Sequence, residues 1–116
     1  MTSEEMVKSA VAAIKDKKGE QIKIIDIRGI SVIADYFIIA SGNNIIQTQA
    51  IADEIERRFT ESGREPKDVE GYRSGSWILL DYADIVIHIF NQKDRRFYNL
   101  ERIWMDGKQI EDADSL

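Results

Sequence analysis

Cysteine is absent from this 116-residue chain, which also has a single proline and a single histidine. Without cysteine the chain cannot form disulfides, thiolate zinc sites, iron–sulfur clusters or a cysteine nucleophile. One histidine excludes a metal site built from several histidines. No apolar run approaches the roughly 20 residues that span a bilayer, and the acidic first residues are unlike a signal peptide. We therefore expect a cytoplasmic domain with no cofactor, no metal ion and no membrane contact.

Acidic side chains outnumber basic ones, 21 to 16, and give the chain a net charge of −5. Binding to phosphate backbones needs clustered positive charge, so DNA is not an expected partner. A basic protein is electrostatically more compatible with this surplus of negative charge. Hydrophobic residues make up 43% of the chain, enough for one core in a domain of this length.

Hydrophobic periodicity predicts helices over residues 3–17, 44–62 and 94–105, and strands over residues 21–27, 35–40, 76–80 and 85–90. The four-residue link between the last two strands predicts an antiparallel hairpin. The order α-β-β-α-β-β-α predicts an α/β (α+β) domain over residues 1–105, with helices packed on a single mixed sheet. Residues 106–116 are acidic and aperiodic, and we expect them to form a flexible tail.

The ends of the first two helices carry recognisable signals. Thr2 and Glu5 have the spacing of a capping box before the first helix, and Gly19 stands where that helix would end. Residues 41–44 provide both a turn and an N-cap for the second helix, which Gly63 would close. The same turn lacks the glycine pattern and the lysine of a phosphate-binding loop, so a capped turn is favoured over a phosphate site.

A metal-dependent nucleotidyltransferase is the alternative that the sequence offers for an enzyme. Such enzymes place a Gly-Ser pair before two acids that alternate along a strand and share magnesium. Gly75-Ser76 is followed by Asp81 and Asp84, but Val86 stands where the second acid of the pair would have to be. We therefore expect no catalysis and no small-molecule substrate.

Two other motifs have ordinary structural interpretations. His88 lies within an apolar strand, which favours a hydrogen-bonded structural histidine over a general base. Lys93, Arg95 and Arg96 precede two aromatic residues, as in some nucleic-acid sites. Nearby acids favour a solvated helix start instead.

The strand over residues 76–80 carries large apolar side chains on both faces. Trp77 and Leu79 share one face because side chains alternate along a strand, and Ile78 and Leu80 occupy the other. A small domain seldom buries both faces of every strand. The face of Trp77 is therefore either core or a protein contact surface with an aromatic anchor, and the strand alone does not decide between them.

A series of short motifs is spaced along almost the whole chain: residues 31–42, Gln47, residues 50–53, Glu70-Gly71, Trp77, Asp81, Asp84, His88, Arg96, Tyr98, residues 100–101, Trp104 and Asp106. In this order and spacing they resemble the Iojap family, also called the ribosomal silencing factors (RsfS). Three positions depart from the family: Ile46 replaces a frequent arginine, Ala83 a usual glycine, and Gly107 a frequent alanine.

This resemblance implies a nucleotidyltransferase-like fold without catalysis. It implies binding to the large ribosomal subunit through its basic protein L-fourteen, which would block association with the small subunit and repress translation when nutrients are short. It also implies a homodimer in the free state. Matching motif positions suggest Trp77, Asp81, Asp84 and Tyr98 as contacts with the partner. We add Leu79 and Tyr82 to the expected contacts because they face with or lie next to these residues. Glu70 and Arg73, in the loop before Trp77, are expected at the rim of the contact.

Overall fold

The computed structural model describes residues 1–95, 108–110 and 112–116. Its strands are β1 (Glu20–Asp26), β2 (Tyr36–Gly42), β3 (Asp68–Glu70), β4 (Trp77–Asp81), β5 (Ile85–Asn91) and β6 (Lys108–Ile110). Its helices are α1 (Ser3–Asp16), α2 (Ile45–Glu61) and the short α3 (Gln92–Arg95), with a 3₁₀ turn at Ala113–Ser115. The strands form one sheet in the order β3-β4-β5-β2-β1-β6. The central pair, β5 and β2, is parallel and the other pairs are antiparallel. The predicted class, a single mixed sheet packed with helices, is confirmed.

Helix α1 begins as predicted but ends differently. The Glu5 N–H donates to Thr2 Oγ1 at 3.1 Å and the Thr2 N–H donates to Glu5 Oε1 at 3.2 Å, which completes the capping box. At the other end Lys18, not Gly19, takes the left-handed conformation, with φ of +62°. A Cβ at Gly19 would overlap the side chain of Ile14. Glycine is therefore needed at position 19 for close packing rather than for a positive φ.

Helix α2 begins and ends at the predicted signals. The Asn44 side chain accepts a hydrogen bond from the Gln47 N–H at 2.8 Å. Gly63 follows the helix with φ of +83°, and the next N–H, of Arg64, donates to the Phe59 carbonyl at 2.8 Å. This arrangement satisfies carbonyls that the last turn would otherwise leave unpaired.

Helices α1 and α2 cover one face of the sheet and form the larger core. That core joins side chains of both helices to inward-facing side chains of four strands, among them Met6, Ile14, Ile51, Ile55, Phe59, Ile38, Ile78, Leu80, Ile87 and Ile89. The opposite face carries a smaller cluster formed by Ile25, Ile27, Ala34, Phe37, Ile39, Val86 and Phe90. Each large apolar side chain removed from water contributes roughly 1.5–3 kcal/mol, so most of the stability comes from the helix-covered face.

The hairpin between β4 and β5 is confirmed, with Asp81 paired to Val86 across it. Hydrophobic periodicity predicts no strand between residues 62 and 76, but β3 lies there and pairs with β4. In the segment expected to form a flexible tail, the described residues beyond 105 form regular structure. There β6 pairs with β1, and Ala113, 8% exposed, packs with Leu116 against the larger core.

Most of the helix predicted over residues 94–105 lies outside the described residues. Among the helices of the described ranges, none has the length and apolar character needed to cross a membrane.

Candidate protein-binding surface

The edge strand β3 and its neighbour β4 present a mixed apolar and acidic surface on the sheet face opposite α1 and α2. Its members are Asp68 and Glu70 of β3 with Trp77, Leu79 and Asp81 of β4, and we call it the β3–β4 surface. Register places Asp68 opposite Asp81 and Glu70 opposite Leu79, and residues that face each other across strands share a side of the sheet. The two β3 acids are exposed, and the three β4 side chains are half-buried.

The indole of Trp77 is held in place by neighbouring side chains. Its Nε1–H donates a hydrogen bond to Nδ1 of His88 at 3.0 Å. Its ring stacks on Phe90, with 5.2 Å between ring centroids and 26° between planes. The ring of Phe37 packs on the far side of His88 at 5.2 Å. A half-buried aromatic side chain held in this way can contact a partner with little further ordering.

His88 is 4% exposed and lies at the centre of this aromatic cluster. Burial lowers the pKa of His88 to about 4, so the imidazole is neutral near pH 7. Because Nδ1 accepts the indole hydrogen bond, the ring proton resides on Nε2. Nε2 has no hydrogen-bond partner among the residues that the structure describes. The interpretation of His88 as a hydrogen-bonded structural residue is confirmed.

The two predicted acids beside the hairpin have different surroundings. Asp81 Oδ1 accepts a hydrogen bond from the Ala83 N–H at 2.8 Å, and in the described chain no cation pairs with its carboxylate. Asp84 forms an ion pair with Arg64, whose Nη2 lies 3.0 Å from Asp84 Oδ2. The Asp84 carbonyl also accepts the Asp35 N–H at 2.7 Å, which joins the hairpin to the start of β2. Asp81 is therefore the more available of the two for a partner's cation.

The remaining predicted contacts are placed unequally. Tyr82 is 2% exposed and meets Phe59 edge-on with ring centroids 4.5 Å apart. It continues the alternation of β4 toward the helices, so its placement does not support the expected contact with a partner. Arg73 is exposed in the loop before β4, near the end of the strand that carries Trp77. Tyr98 lies outside the described residues.

The residues of the nucleotidyltransferase alternative do not meet in one site. Ser76 precedes β4 and Asp81 ends it, so at roughly 3.3 Å per residue they are about 16 Å apart. Asp84 is already paired with Arg64. Across the described part of the chain, no group of three or more histidine or acidic side chains is arranged to hold a metal ion.

Asp68 is a member of the β3–β4 surface that the sequence reasoning missed. Asp68, Val69 and Glu70 do alternate, with the apolar residue facing the core and the acids facing outward, but three residues are too few to establish a period. Neither of these acids pairs with a cation of the described residues. The surface thus has an apolar part, Trp77 and Leu79, bordered by carboxylates that pair with no cation of the described residues, which suits a partner with basic side chains beside an apolar patch.

Comparisons with known proteins agree over nearly the full length. The family described as "Ribosomal silencing factor during starvation" matches residues 1–116. Proteins named ribosomal silencing factor RsfS are 43% identical over 111 residues in Halalkalibacterium halodurans, covering 96% of this chain and 95% of that one, and 43% identical over 107 residues in Bacillus subtilis, covering 92% and 91%. A crystal structure of a Chromobacterium violaceum protein matches with a TM-score of 0.87 at 30% identity, covering 90% and 88% of the two chains.

Proposed function

This chain belongs to the ribosomal silencing factor family, and on that premise we propose that it binds the large ribosomal subunit through protein L-fourteen and blocks association with the small subunit. Family membership gives the general role, silencing of ribosomes. The proposal adds the partner protein, the surface that meets it and the physical basis of silencing. It requires no chemical step by this protein, which acts in the cytoplasm as a binding factor rather than an enzyme.

The observation that carries the proposal is the β3–β4 surface. Trp77 and Leu79 provide its apolar area, and Asp68, Glu70 and Asp81 place negative charge beside them, on β3 and at the end of β4. A basic ribosomal protein gains association rate from the attraction of these carboxylates, and burial of the apolar area slows dissociation. Arg73 and Asp84 lie beside this surface and are proposed as secondary contacts, as is Tyr98 on the basis of the family resemblance alone.

Silencing then follows because the bound protein occupies space that the small subunit needs in order to join. The protein measures 34 × 33 × 24 Å. Even its shortest dimension is much larger than the distance of about 3 Å at which two subunit surfaces form direct hydrogen bonds. A factor of this thickness seated on the subunit-facing side of the large subunit keeps the small subunit away. Inhibition should therefore track occupancy and reverse on release, without any lasting change in the ribosome.

The free protein is proposed to be a homodimer, as the family resemblance implies. The half-buried apolar pair Trp77 and Leu79 lies one strand from the sheet edge, and a second copy can cover it while the protein is not bound to a ribosome. Sedimentation velocity of the free protein tests this part. A monomer at micromolar concentration would contradict it without affecting the ribosome proposal.

The deciding experiment is co-sedimentation of the purified protein with separated large and small subunits. Light scattering would follow subunit joining after small subunits are added. We expect the protein to sediment with large subunits only and to reduce joining in proportion to its occupancy. Failure to bind large subunits, or binding that leaves joining unchanged, would contradict the proposal.

A pair of charge reversals locates the contact. Asp68→Lys reverses a charge on the β3–β4 surface, and Glu20→Lys makes the same change in total charge at an exposed position on β1. Strand β1 is three positions from β4 in the sheet, about 14 Å at the usual strand spacing. We expect Asp68→Lys to lose binding and Glu20→Lys to keep it. Equal losses would mean that only the overall charge matters.

A further inference from the structure

We propose that His88 is a positioning residue, whose Nδ1 fixes the orientation in which the Trp77 indole meets the partner. This inference rests on the proposed function above, because it assumes that Trp77 contacts the ribosome. It assigns a binding role to a buried side chain that itself touches no partner.

The strand register sets up the contact between the two side chains. Across β4 and β5, Trp77 pairs with Phe90 and Leu79 pairs with His88. His88 is therefore the diagonal neighbour of Trp77 on the same face of the sheet, within reach of a long aromatic side chain. The 3.0 Å hydrogen bond from Trp77 Nε1–H to His88 Nδ1 selects one indole orientation, and stacking on Phe90 supports it.

His88 is itself too confined to follow the indole if the indole rotates. It is 4% exposed and packs against the Phe37 ring. Its register neighbours on the two adjacent strands are Ile39 and Leu79. These described neighbours are apolar, so no charge among them favours the imidazolium form. The neutral ring, with Nδ1 free to accept, therefore persists across the physiological pH range.

A fixed indole matters because the partner would otherwise have to order it. A tryptophan side chain has two rotatable bonds, and restricting them before binding reduces the entropy lost in the complex. The hydrogen bond also satisfies the indole N–H within the protein, so the partner need not supply an acceptor for it. Loss of the acceptor should weaken binding even when the fold is retained.

Two variants of His88 separate positioning from packing. His88→Phe keeps an aromatic ring but removes the acceptor. His88→Asn places an amide oxygen close to the position of Nδ1 and so retains an acceptor. We expect His88→Phe to weaken binding to large subunits about tenfold, the scale of one hydrogen bond, and His88→Asn to remain within about threefold of the unmodified protein.

The indole ¹H–¹⁵N signal provides a readout that simple destabilisation does not move. The Trp77 signal is identified as the one missing from Trp77→Phe. It should shift strongly upfield in His88→Phe and little in His88→Asn. Ile39→Val is the matched control, because it loosens packing beside His88 without touching the hydrogen bond. It should leave both the signal and the binding unchanged.

A double substitution decides the matter. In the Trp77→Phe background the donor is already gone, so adding His88→Phe should weaken binding no further. Normal binding by His88→Phe with a shifted indole signal would overturn the proposal, as would an equal loss in the Trp77→Phe background. If His88→Phe does not fold, a shifted signal with normal binding in His88→Asn overturns it equally. Failure of the unmodified protein to bind large subunits would instead refute the proposed function, and this inference with it.

Discussion

Asp68 and Asp81 face each other directly across β3 and β4, so that two carboxylates occupy one cross-strand pair. Like charges in such a pair destabilise a sheet, whereas opposite charges stabilise it. Neither side chain pairs with a cation in the part of the chain that the structure describes. The isolated protein therefore keeps a repulsion that a basic partner would remove. Removing one of the two charges should then stabilise the free protein but weaken its binding to that partner.

Replacing Asp68 by asparagine should have opposite effects on stability and on binding. We expect Asp68→Asn to raise the free energy of unfolding by roughly 0.5 kcal/mol, the scale of a cross-strand charge pair. The same change removes attraction to a basic partner and should weaken ribosome binding a few-fold, with a smaller dependence on salt. Urea unfolding at low ionic strength measures the first effect, and co-sedimentation at two salt concentrations measures the second.

Glu70→Gln is the matched control for this change. It removes the same charge from the same strand, but Glu70 faces Leu79 rather than a carboxylate. It should weaken ribosome binding without raising stability. Equal stabilisation by both substitutions would show that the effect comes from total charge and not from the Asp68–Asp81 pair.

The hairpin turn between β4 and β5 contains a strained residue. Ala83 has φ of +70°, a conformation that favours glycine because an L side chain crowds the backbone there. We expect Ala83→Gly to raise the free energy of unfolding by about 0.5–1 kcal/mol, after part of the relief is offset by the greater freedom of glycine in the unfolded chain. Urea unfolding is the measurement.

Gly63→Ala tests the same cost of a side chain at positive φ, by introducing a Cβ where Ala83→Gly removes one. Gly63 has φ of +83°, and a Cβ there would meet no described atom within 4 Å. The substitution should therefore cost about 1 kcal/mol through the backbone conformation alone. If Gly63→Ala were neutral, a positive φ would not be costly in this fold, and stabilisation by Ala83→Gly would need another cause.

Signals that are local along the chain predicted most of the fold. The capping box of Thr2 and Glu5 depends on residues three apart, and the β4–β5 hairpin depends on a short link. The strands β3 and β6 were missed because three residues are too few to show a period. Both exist because they pair with another strand, and β6 pairs with β1 from the other end of the chain.

The surface was predicted only in part, for a related reason. The alternation of side chains along one strand placed Trp77 and Leu79 together. Asp68 joins them through the register of β3 on β4, which no local pattern reveals. The burial of Tyr82 depends on Phe59, on a helix that precedes it by many residues. The side of the sheet on which each side chain of a strand lies was thus predictable. The residues that contact it from other strands and helices were not.

Acid should destabilise the protein through its single histidine. Burial lowers the pKa of His88 to about 4, below the ordinary histidine pKa of 6.5, so the unfolded chain binds the proton more readily than the folded one. Stability is then fully present above about pH 6.5 and falls as the pH drops toward 4. We expect a loss of about 2 kcal/mol between pH 7.5 and pH 5, measured by urea unfolding at a series of pH values.

His88→Phe is the control for this pH dependence. It removes the titrating group, so its stability should be nearly constant over the same interval. Hydrogen bonds from Arg57 and Arg58 lower the pKa of Glu54 to about 2. Carboxylates of this kind stabilise the folded state while they are ionised, and they lose that contribution only below this pH interval. A slope in His88→Phe as steep as in the unmodified protein would place the pH dependence on other groups.

The largest effect on binding is expected at Trp77. Trp77→Ala removes the indole ring of the β3–β4 surface and the donor that His88 accepts. We expect it to weaken ribosome binding by at least about 2 kcal/mol, the scale of an interface hot spot, which is roughly a thirtyfold change in the dissociation constant. Co-sedimentation over a range of protein concentrations gives the number, and circular dichroism establishes whether the variant is folded.

Because Trp77 is half-buried, part of any loss could come from a weakened sheet, and a neighbour on the same strand separates the two causes. Ile78→Val shortens a fully buried side chain on the opposite, helix-covered face of β4 and should cost about 0.5–1.5 kcal/mol of stability. It leaves the β3–β4 surface intact, so binding should be unchanged. A folded Trp77→Ala that binds normally would make Trp77 a core residue alone, and the surface that meets the ribosome would then lie elsewhere on the molecule.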